Sequence, residues 1–234
     1  MPVTVSVNDR RAAEGSQSAK ARRAQHRQSR CVMMLPADLE GRRVLDIACR
    51  RGLGAFKIAD RVGKDGFVVG ADPSPHCVEA AVAQAPDHHW AGPDWGDHLR
   101  FVCAGPCGLE AAGLQAASFD VVVVNSALNL EPDYLGALAA IARLLVPGGY
   151  LYHDAVLAEE SLAEPVSRLC RDAGNVFGCA PTQARLADAL ARAGFCRWSF
   201  EAVRPLEPLS GDVRPELEGC GFQSAVVQAF VPGA

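Results

Sequence analysis

The chain has 234 residues, 49% of them hydrophobic, and a formal net charge of −4. This length and apolar content exclude a disulfide-stapled miniprotein and a disordered polypeptide, and they predict one large domain. The charge is uneven, because residues 1–30 carry seven Lys/Arg and two Asp/Glu, a net of +5, while the remainder carries −9.

The basic segment, residues 1–30, predicts a helical arm ahead of a main domain formed by residues 31–234. Its alanines favour a helix. Its cations could neutralise phosphates, but the acidic main domain favours a solvated helix face and argues against a nucleic-acid partner.

The chain contains no secretory signal and no apolar run near eighteen residues, so we expect a cytoplasmic protein that does not enter a membrane. Its nine cysteines include no CxxC pair, which favours buried thiols in a reducing compartment. Residues 86–98 read as a surface loop, in which His88, His89 and His98 are either metal ligands or solvated. Adjacent histidines do not readily face one ion, and we expect no metal.

From residue 43 onward, short apolar runs alternate with helix-like segments, which is typical of an α/β sheet covered by helices on both faces. The fourth run, FDVVVV at residues 119–124, is the richest in β-branched residues and is expected at the centre of the sheet. Strands are predicted at residues 43–47, 67–71, 99–104, 119–124, 150–153, 195–203 and 222–231. Helices are predicted near residues 56–62, 78–85, 132–145, 162–173 and 182–193.

The loop after the first strand is the place where an α/β sheet holds its ligand. Asp72, at the end of the second strand, suits hydrogen bonds from ribose hydroxyls. His153 and Asp154 lie at the carboxyl end of the fifth strand, where they are either an acid/base pair or structural residues.

Four segments in this order resemble the class I S-adenosylmethionine (SAM) methyltransferases over nearly the whole chain from about Cys31: VLDIACRRG, VVGADPS, FDVVVVNSALNL and LLVPGGYLYHD. The resemblance implies a Rossmann-like, seven-stranded, mostly parallel sheet with helices on both faces. It also implies a cofactor site built from Asp46, Ala48, Cys49, Arg50, Gly52, Asp72, Pro73, Asn125 and Ser126.

Within this superfamily the chain is most similar to the arsenite methyltransferases, whose N-C-V-V-N-L-x-P-D segment resembles residues 125–133 (NSALNLEPD). That family binds trivalent arsenic with cysteine thiolates, because soft ligands suit a soft centre. Cys31 matches one of these cysteines, but Ser126, Val176 and Ala229 stand where others are expected. Cys179 and Cys220 lie nearby in the sequence as alternatives, and an arsenite substrate is not expected.

The cofactor loop departs from the superfamily form, which is acidic-x-Gly-x-Gly-x-Gly. Residues 46–52 read DIACRRG, so Arg50 replaces the middle glycine and is expected to project into the methionine end of the pocket. Arg50 and Arg51 at a helix N-terminus would favour a sulfate, phosphate or carboxylate. Pro106 stands where an acidic residue near the adenine is usual.

Three functions therefore remain open. The altered cofactor loop argues against SAM binding in the first of them. The first is SAM-independent displacement of an anionic leaving group, sulfate or phosphate, in a reaction of natural-product biosynthesis that could close a ring. Its catalytic residues would be Arg50, Arg51, His153 and Asp154. The second is SAM-dependent methyl transfer to a small nucleophile, and the third is a non-catalytic partner subunit. We expect the substrate to be a small molecule with an anionic group. We expect the protein itself to form a homo-oligomer or a hetero-oligomer.

Overall fold

The computed structural model describes residues 34–87, 95–125, 127–207 and 215–233. The predicted basic arm, Cys31, His88, His89 and Ser126 lie outside these residues, and the predicted boundary between arm and domain stays a prediction.

Seven strands form one sheet in the order β3-β2-β1-β4-β5-β7-β6. Only β7 runs antiparallel to its neighbours, so the predicted mostly parallel α/β fold is confirmed, and β4 is central as expected. The strands are β1 (Arg43–Ile47), β2 (Phe67–Asp72), β3 (Leu99–Cys103), β4 (Phe119–Asn125), β5 (Leu145–Ala158), β6 (Arg197–Leu206) and β7 (Phe222–Phe230).

Five helices accompany the sheet in the described residues, and polar N-caps begin three of them. Ser74, Asp133 and Thr182 each accept a hydrogen bond from a backbone N–H three residues on. The helices are α1 (Leu53–Val62), α2 (Pro75–Gln84), α3 (Tyr134–Leu144), α4 (Glu164–Asp172) and α5 (Gln183–Arg192). None of these helices is long and apolar enough to cross a lipid bilayer.

Strand β5 is much longer than the predicted residues 150–153. Its pairing with β4 ends at Asp154, but its antiparallel pairing with β7 continues to Ala158 opposite Phe222. The extension was not evident in the sequence because a partner strand about seventy residues away supplies its hydrogen bonds.

The core has one large apolar cluster on each face of the sheet, and a smaller third cluster joins the end of β5 to Cys170 of α4 and Phe222 of β7. On the face that we call the α1 face, valines of β1, β2 and β4 pack with Phe56 and Ile58 of α1. On the opposite face, which we call the α3 face, Leu45, Ile47 and their neighbours pack with apolar residues of α3 and α5. Successive strand residues point to opposite faces, so cluster membership reports which face each strand side chain occupies.

The order of the strands also locates the ligand-binding edge. The chain steps outward from β1 to β2 and β3, then returns to β4 on the other side of β1. In open α/β sheets the crevice at such a switch point, at the carboxyl ends of the strands, holds the ligand.

Gly70 in β2 allows the loop after β1 to pack against the sheet. A Cβ atom at Gly70 would lie 2.7 Å from the Phe101 ring and 3.0 Å from the Cys49 Sγ. The Phe101 ring is itself held edge-on against Phe56, at a centroid distance of 5.7 Å. We expect Gly70→Ala to lower the free energy of unfolding by about 1–3 kcal/mol through overpacking, measured by urea denaturation.

Gly108 provides the matched control, because a Cβ atom there would meet nothing within 4 Å. Gly108→Ala should leave the urea midpoint within about 0.5 kcal/mol of the unsubstituted chain. Equal losses in the two variants would contradict the packing argument.

Candidate functional site

Four adjacent parallel strands each carry a polar side chain near their carboxyl ends. Alternation along the strands assigns Asp72 of β2, Asp46 of β1, Asn125 of β4 and Asp154 of β5 to the α1 face. Asn125 and Asp154 are direct partners in the register of β4 and β5. The three carboxyl side chains, which we call the carboxylate row, belong to residues that are at most 5% exposed.

The loop after β1 turns sharply through residues of left-handed conformation. Ala48, Arg50 and Gly52 have φ angles of 58°, 52° and 83°. The Cys49 N–H donates to the Ala71 carbonyl at 3.0 Å, and the Gly52 N–H donates to the Cys49 carbonyl at 2.9 Å. The loop is therefore held to β2 on one side and begins α1 on the other.

Asp72 joins this loop to the turn after β2. Its Oδ2 accepts the Arg50 N–H and its Oδ1 accepts the Ser74 N–H, each at 2.9 Å. Each carboxylate oxygen keeps a further lone-pair site, so the side chain could still accept a hydroxyl. The predicted role of Asp72 as a ribose ligand stays a prediction, and its two hydrogen bonds give it a structural function as well.

Asp46 is a buried group with unused hydrogen-bonding capacity in this site. It is 2% exposed, and its Oδ2 has no hydrogen-bond partner among the described residues. Burial, and secondarily the charge of Asp72, raise the pKa of Asp46 to about 7. A buried carboxylate with an unpaired oxygen fits a cationic ligand, because a nearby positive charge favours its ionised form.

Arg50 and Arg51 are both exposed. Arg50 contributes to the site through its main chain, since its N–H holds Asp72. A non-glycine residue in the left-handed region costs about 1 kcal/mol. Anion binding by Arg50 and Arg51 stays a prediction. The exposure of both residues and the acidic side chains near the loop argue against it.

His153 and Asp154 lie on opposite faces of β5, so they do not form a pair. His153 is fully buried on the α3 face, where its ring Nδ1–H donates to the Val124 carbonyl at 3.1 Å. A carbonyl only accepts, which leaves Nε2 unprotonated, and Nε2 has no hydrogen-bond partner in the described chain. Burial lowers the pKa of His153 to about 4, so the imidazole is neutral. An acid/base role for either residue stays a prediction.

The remaining predicted cofactor residues have clear local roles. Cys49 is buried, and burial with the charges of Asp46 and Asp72 raises the pKa of its thiol, so it is not an activated nucleophile. Gly52 is required by packing, because a Cβ atom there would lie 2.8 Å from the Phe56 ring. Pro73 is exposed at the turn after β2, and Pro106 is buried in a short 3₁₀ turn after β3.

Asp154 is predicted from the sequence as a partner of His153, and not as a neighbour of Asp46 and Asp72. The signal was present in β5, where Tyr150, Tyr152 and Asp154 are spaced by two residues and so share one face. The eight described cysteines are unbridged, and the described residues contain no group of three or more side chains arranged to hold a metal ion.

The comparisons with known proteins agree with this architecture. A family model described as a methyltransferase domain matches residues 18–199. Mouse arsenite methyltransferase is 29% identical over 200 residues, covering 86% of this chain and 53% of that protein. The aklanonic acid methyltransferase DauC of a Streptomyces species is 37% identical over 109 residues, covering 47% of this chain and 46% of that protein. The chain thus spans about half the length of these curated relatives.

A solved methyltransferase structure is also similar to this chain. The crystal structure of CrArsM, an arsenic(III) SAM methyltransferase from Chlamydomonas reinhardtii, superposes with a TM-score of 0.77 at 28% identity. The match covers 87% of this chain and 68% of that one.

The left-handed conformation of Arg50 predicts opposite effects for two neighbouring substitutions. Arg50→Gly should raise the free energy of unfolding by about 0.5–1 kcal/mol, because glycine adopts a positive φ without strain. Arg51 does not adopt a positive φ, so Arg51→Gly should lower it by about 0.5–1 kcal/mol through added chain entropy. Urea denaturation of both variants tests this, and a loss in Arg50→Gly equal to that in Arg51→Gly would contradict it.

Proposed function

The chain belongs to the methyltransferase-domain family, and we propose that it transfers a methyl group from SAM to a small molecule. The observation that carries the proposal is the carboxylate row at the ligand-binding edge, with the unpaired Oδ2 of Asp46 at its centre. The CrArsM crystal structure and the arsenite methyltransferases, at 28% and 29% identity, support the same chemistry.

Charge decides between a cationic and an anionic ligand. SAM carries a sulfonium, an ammonium and a carboxylate group and so has a net positive charge, and its cationic groups would be stabilised beside Asp46 and Asp72. A sulfate or phosphate would be repelled by the same carboxylates. The hypothesis of a displaced anionic group requires the side chains of Arg50 and Arg51 in the pocket, and both residues are exposed.

The residues present fit SAM in three respects. Asp46 would hold a positive group of the ligand, Asp72 would accept ribose hydroxyls, and the left-handed loop of residues 48–52 would let the main chain approach closely. When bound, SAM supplies a methyl group whose bond to the sulfonium breaks as the acceptor's nucleophile attacks its carbon, leaving a neutral thioether. The chain contributes position and electrostatics, since it keeps donor and acceptor aligned at the edge of a rigid sheet.

Calorimetric titration with SAM tests the proposal. We expect micromolar binding whose affinity rises roughly eightfold from pH 6.0 to pH 7.5, because Asp46, with a pKa of about 7, ionises over this range and its negative charge attracts the ligand. Asp46→Asn should bind more weakly at pH 7.5 and lose this rise, since an amide does not titrate.

The same titration covers the other two functions. Arg50→Gly should leave the affinity for SAM within about threefold, because the Arg50 side chain is exposed. Absence of SAM binding at millimolar concentration, with sulfate binding that Arg50→Gly abolishes, would favour anion displacement. Binding of neither ligand would favour the non-catalytic subunit.

A further inference from the structure

A cavity of about 550 Å³ lies between helices α3, α4 and α5 and the turn that follows β4. It is separate from the carboxylate row, and none of the predicted catalytic or cofactor residues that the structure describes lines it. It begins at Asn129, four residues after Asn125 ends β4, and thus at the edge of the sheet that carries the candidate cofactor residues.

Three polar atoms of the cavity lining are shielded from solvent and have no hydrogen-bond partner in the described part of the chain. They are the Asn129 Oδ1, the Tyr134 hydroxyl and the Arg171 Nε. A buried polar atom without a partner costs about 1–3 kcal/mol, so three such atoms on residues of one cavity favour a bound molecule that completes their hydrogen bonds.

The hydrogen bonds of Asn129 determine which of its atoms is available. This residue is 2% exposed, and its Nδ2 donates to the Val156 carbonyl at 2.9 Å and the Val176 carbonyl at 3.1 Å. Because carbonyls only accept, the amide nitrogen must face them and Oδ1 is left as an acceptor. An N–H or O–H donor on the ligand would satisfy it.

The cavity lining contains both positively and negatively charged side chains. Arg192 and Asp188 form an ion pair at 3.5 Å, so these two charges already neutralise each other. Arg171 and Arg185 provide further positive charge, and Glu131 and Glu164 provide further negative charge. Burial, and secondarily the charge of Asp133, raise the pKa of Glu131, so a cationic group beside it would favour its ionised form.

From this lining we infer that the cavity binds the methyl acceptor, a small molecule that carries both a carboxylate and an amine. Arg171, which is only partly exposed, would hold the carboxylate, and the Asn129 Oδ1 with Glu131 would hold the amine. The ligand class follows from the cavity itself, whereas the role of that ligand as acceptor rests on the proposed function. The anionic substrate group that the sequence places at Arg50 is thereby reassigned to Arg171.

Three matched probes separate the two charges: 4-(aminomethyl)benzoate, 4-methylbenzoate and benzylamine. Titration of the unsubstituted chain without SAM, followed by calorimetry or NMR, should give millimolar binding of the first probe. We expect the other two to bind at least about tenfold more weakly, because each lacks one of the two charges.

Two variants and one control tie the binding to the cavity. Arg171→Gln should weaken 4-(aminomethyl)benzoate at least about tenfold, and Tyr134→Phe about threefold. Arg168→Gln is the control, because Arg168 is exposed on the same helix α4 and does not line the cavity. Thermal unfolding of each variant verifies that it is folded, and Tyr134→Phe conserves the shape of the side chain.

Two results would overturn the inference: no binding of 4-(aminomethyl)benzoate at about 20 mM, or equal weakening by Arg171→Gln and Arg168→Gln. A SAM titration of the same samples distinguishes this failure from failure of the proposed function. SAM binding without probe binding would overturn the cavity site alone. Probe binding without SAM binding would leave the ligand site and overturn the acceptor role together with methyl transfer.

Discussion

The two hydrogen bonds accepted by Asp72 are the constraint on which the candidate site depends. One comes from the loop after β1 and the other from the turn after β2, so a single buried carboxylate sets the spacing of the two segments that flank the switch point. A charge-assisted bond from a backbone N–H is also stronger than a neutral one. This explains how the loop keeps a tight turn even though Arg50 stands where the superfamily has a glycine.

The same carboxylate affects its neighbour. Asp46 and Asp72 lie on one face of adjacent strands, and the negative charge of Asp72 adds to burial in raising the pKa of Asp46. The site is therefore poised between a protonated and an ionised state near neutral pH, and a cationic ligand would favour ionisation. Exposed arginines do not relieve this repulsion as a bound cation would, because water screens their charge.

The proposed cofactor site and the proposed acceptor cavity involve different faces of the sheet. The candidate cofactor residues occupy the α1 face, whereas the cavity is built by α3, α4 and α5. Both begin at the carboxyl ends of the central strands, β1 and β2 for the first and β4 for the second. The cavity lining carries charges of both signs and contains one of the two cysteines that the sequence offers as alternative thiolate ligands, Cys179.

The sequence by itself determined the class of the sheet, the position of the central strand and the place of the ligand loop. Hydrophobic periodicity and turn residues are local properties, so β1 was predicted at its observed bounds, as was the loop that contains Gly52. Only the tertiary structure decided which face each polar side chain occupies, that His153 and Asp154 are apart, and that Asn129, Tyr134 and Arg171 share a cavity. The cavity joins residues that are distant in the chain, whereas His153 and Asp154 are consecutive and face different surroundings because both sides of β5 are covered. Burial, which shifts pKa values and leaves hydrogen-bonding groups unpaired, exists only when the elements are packed.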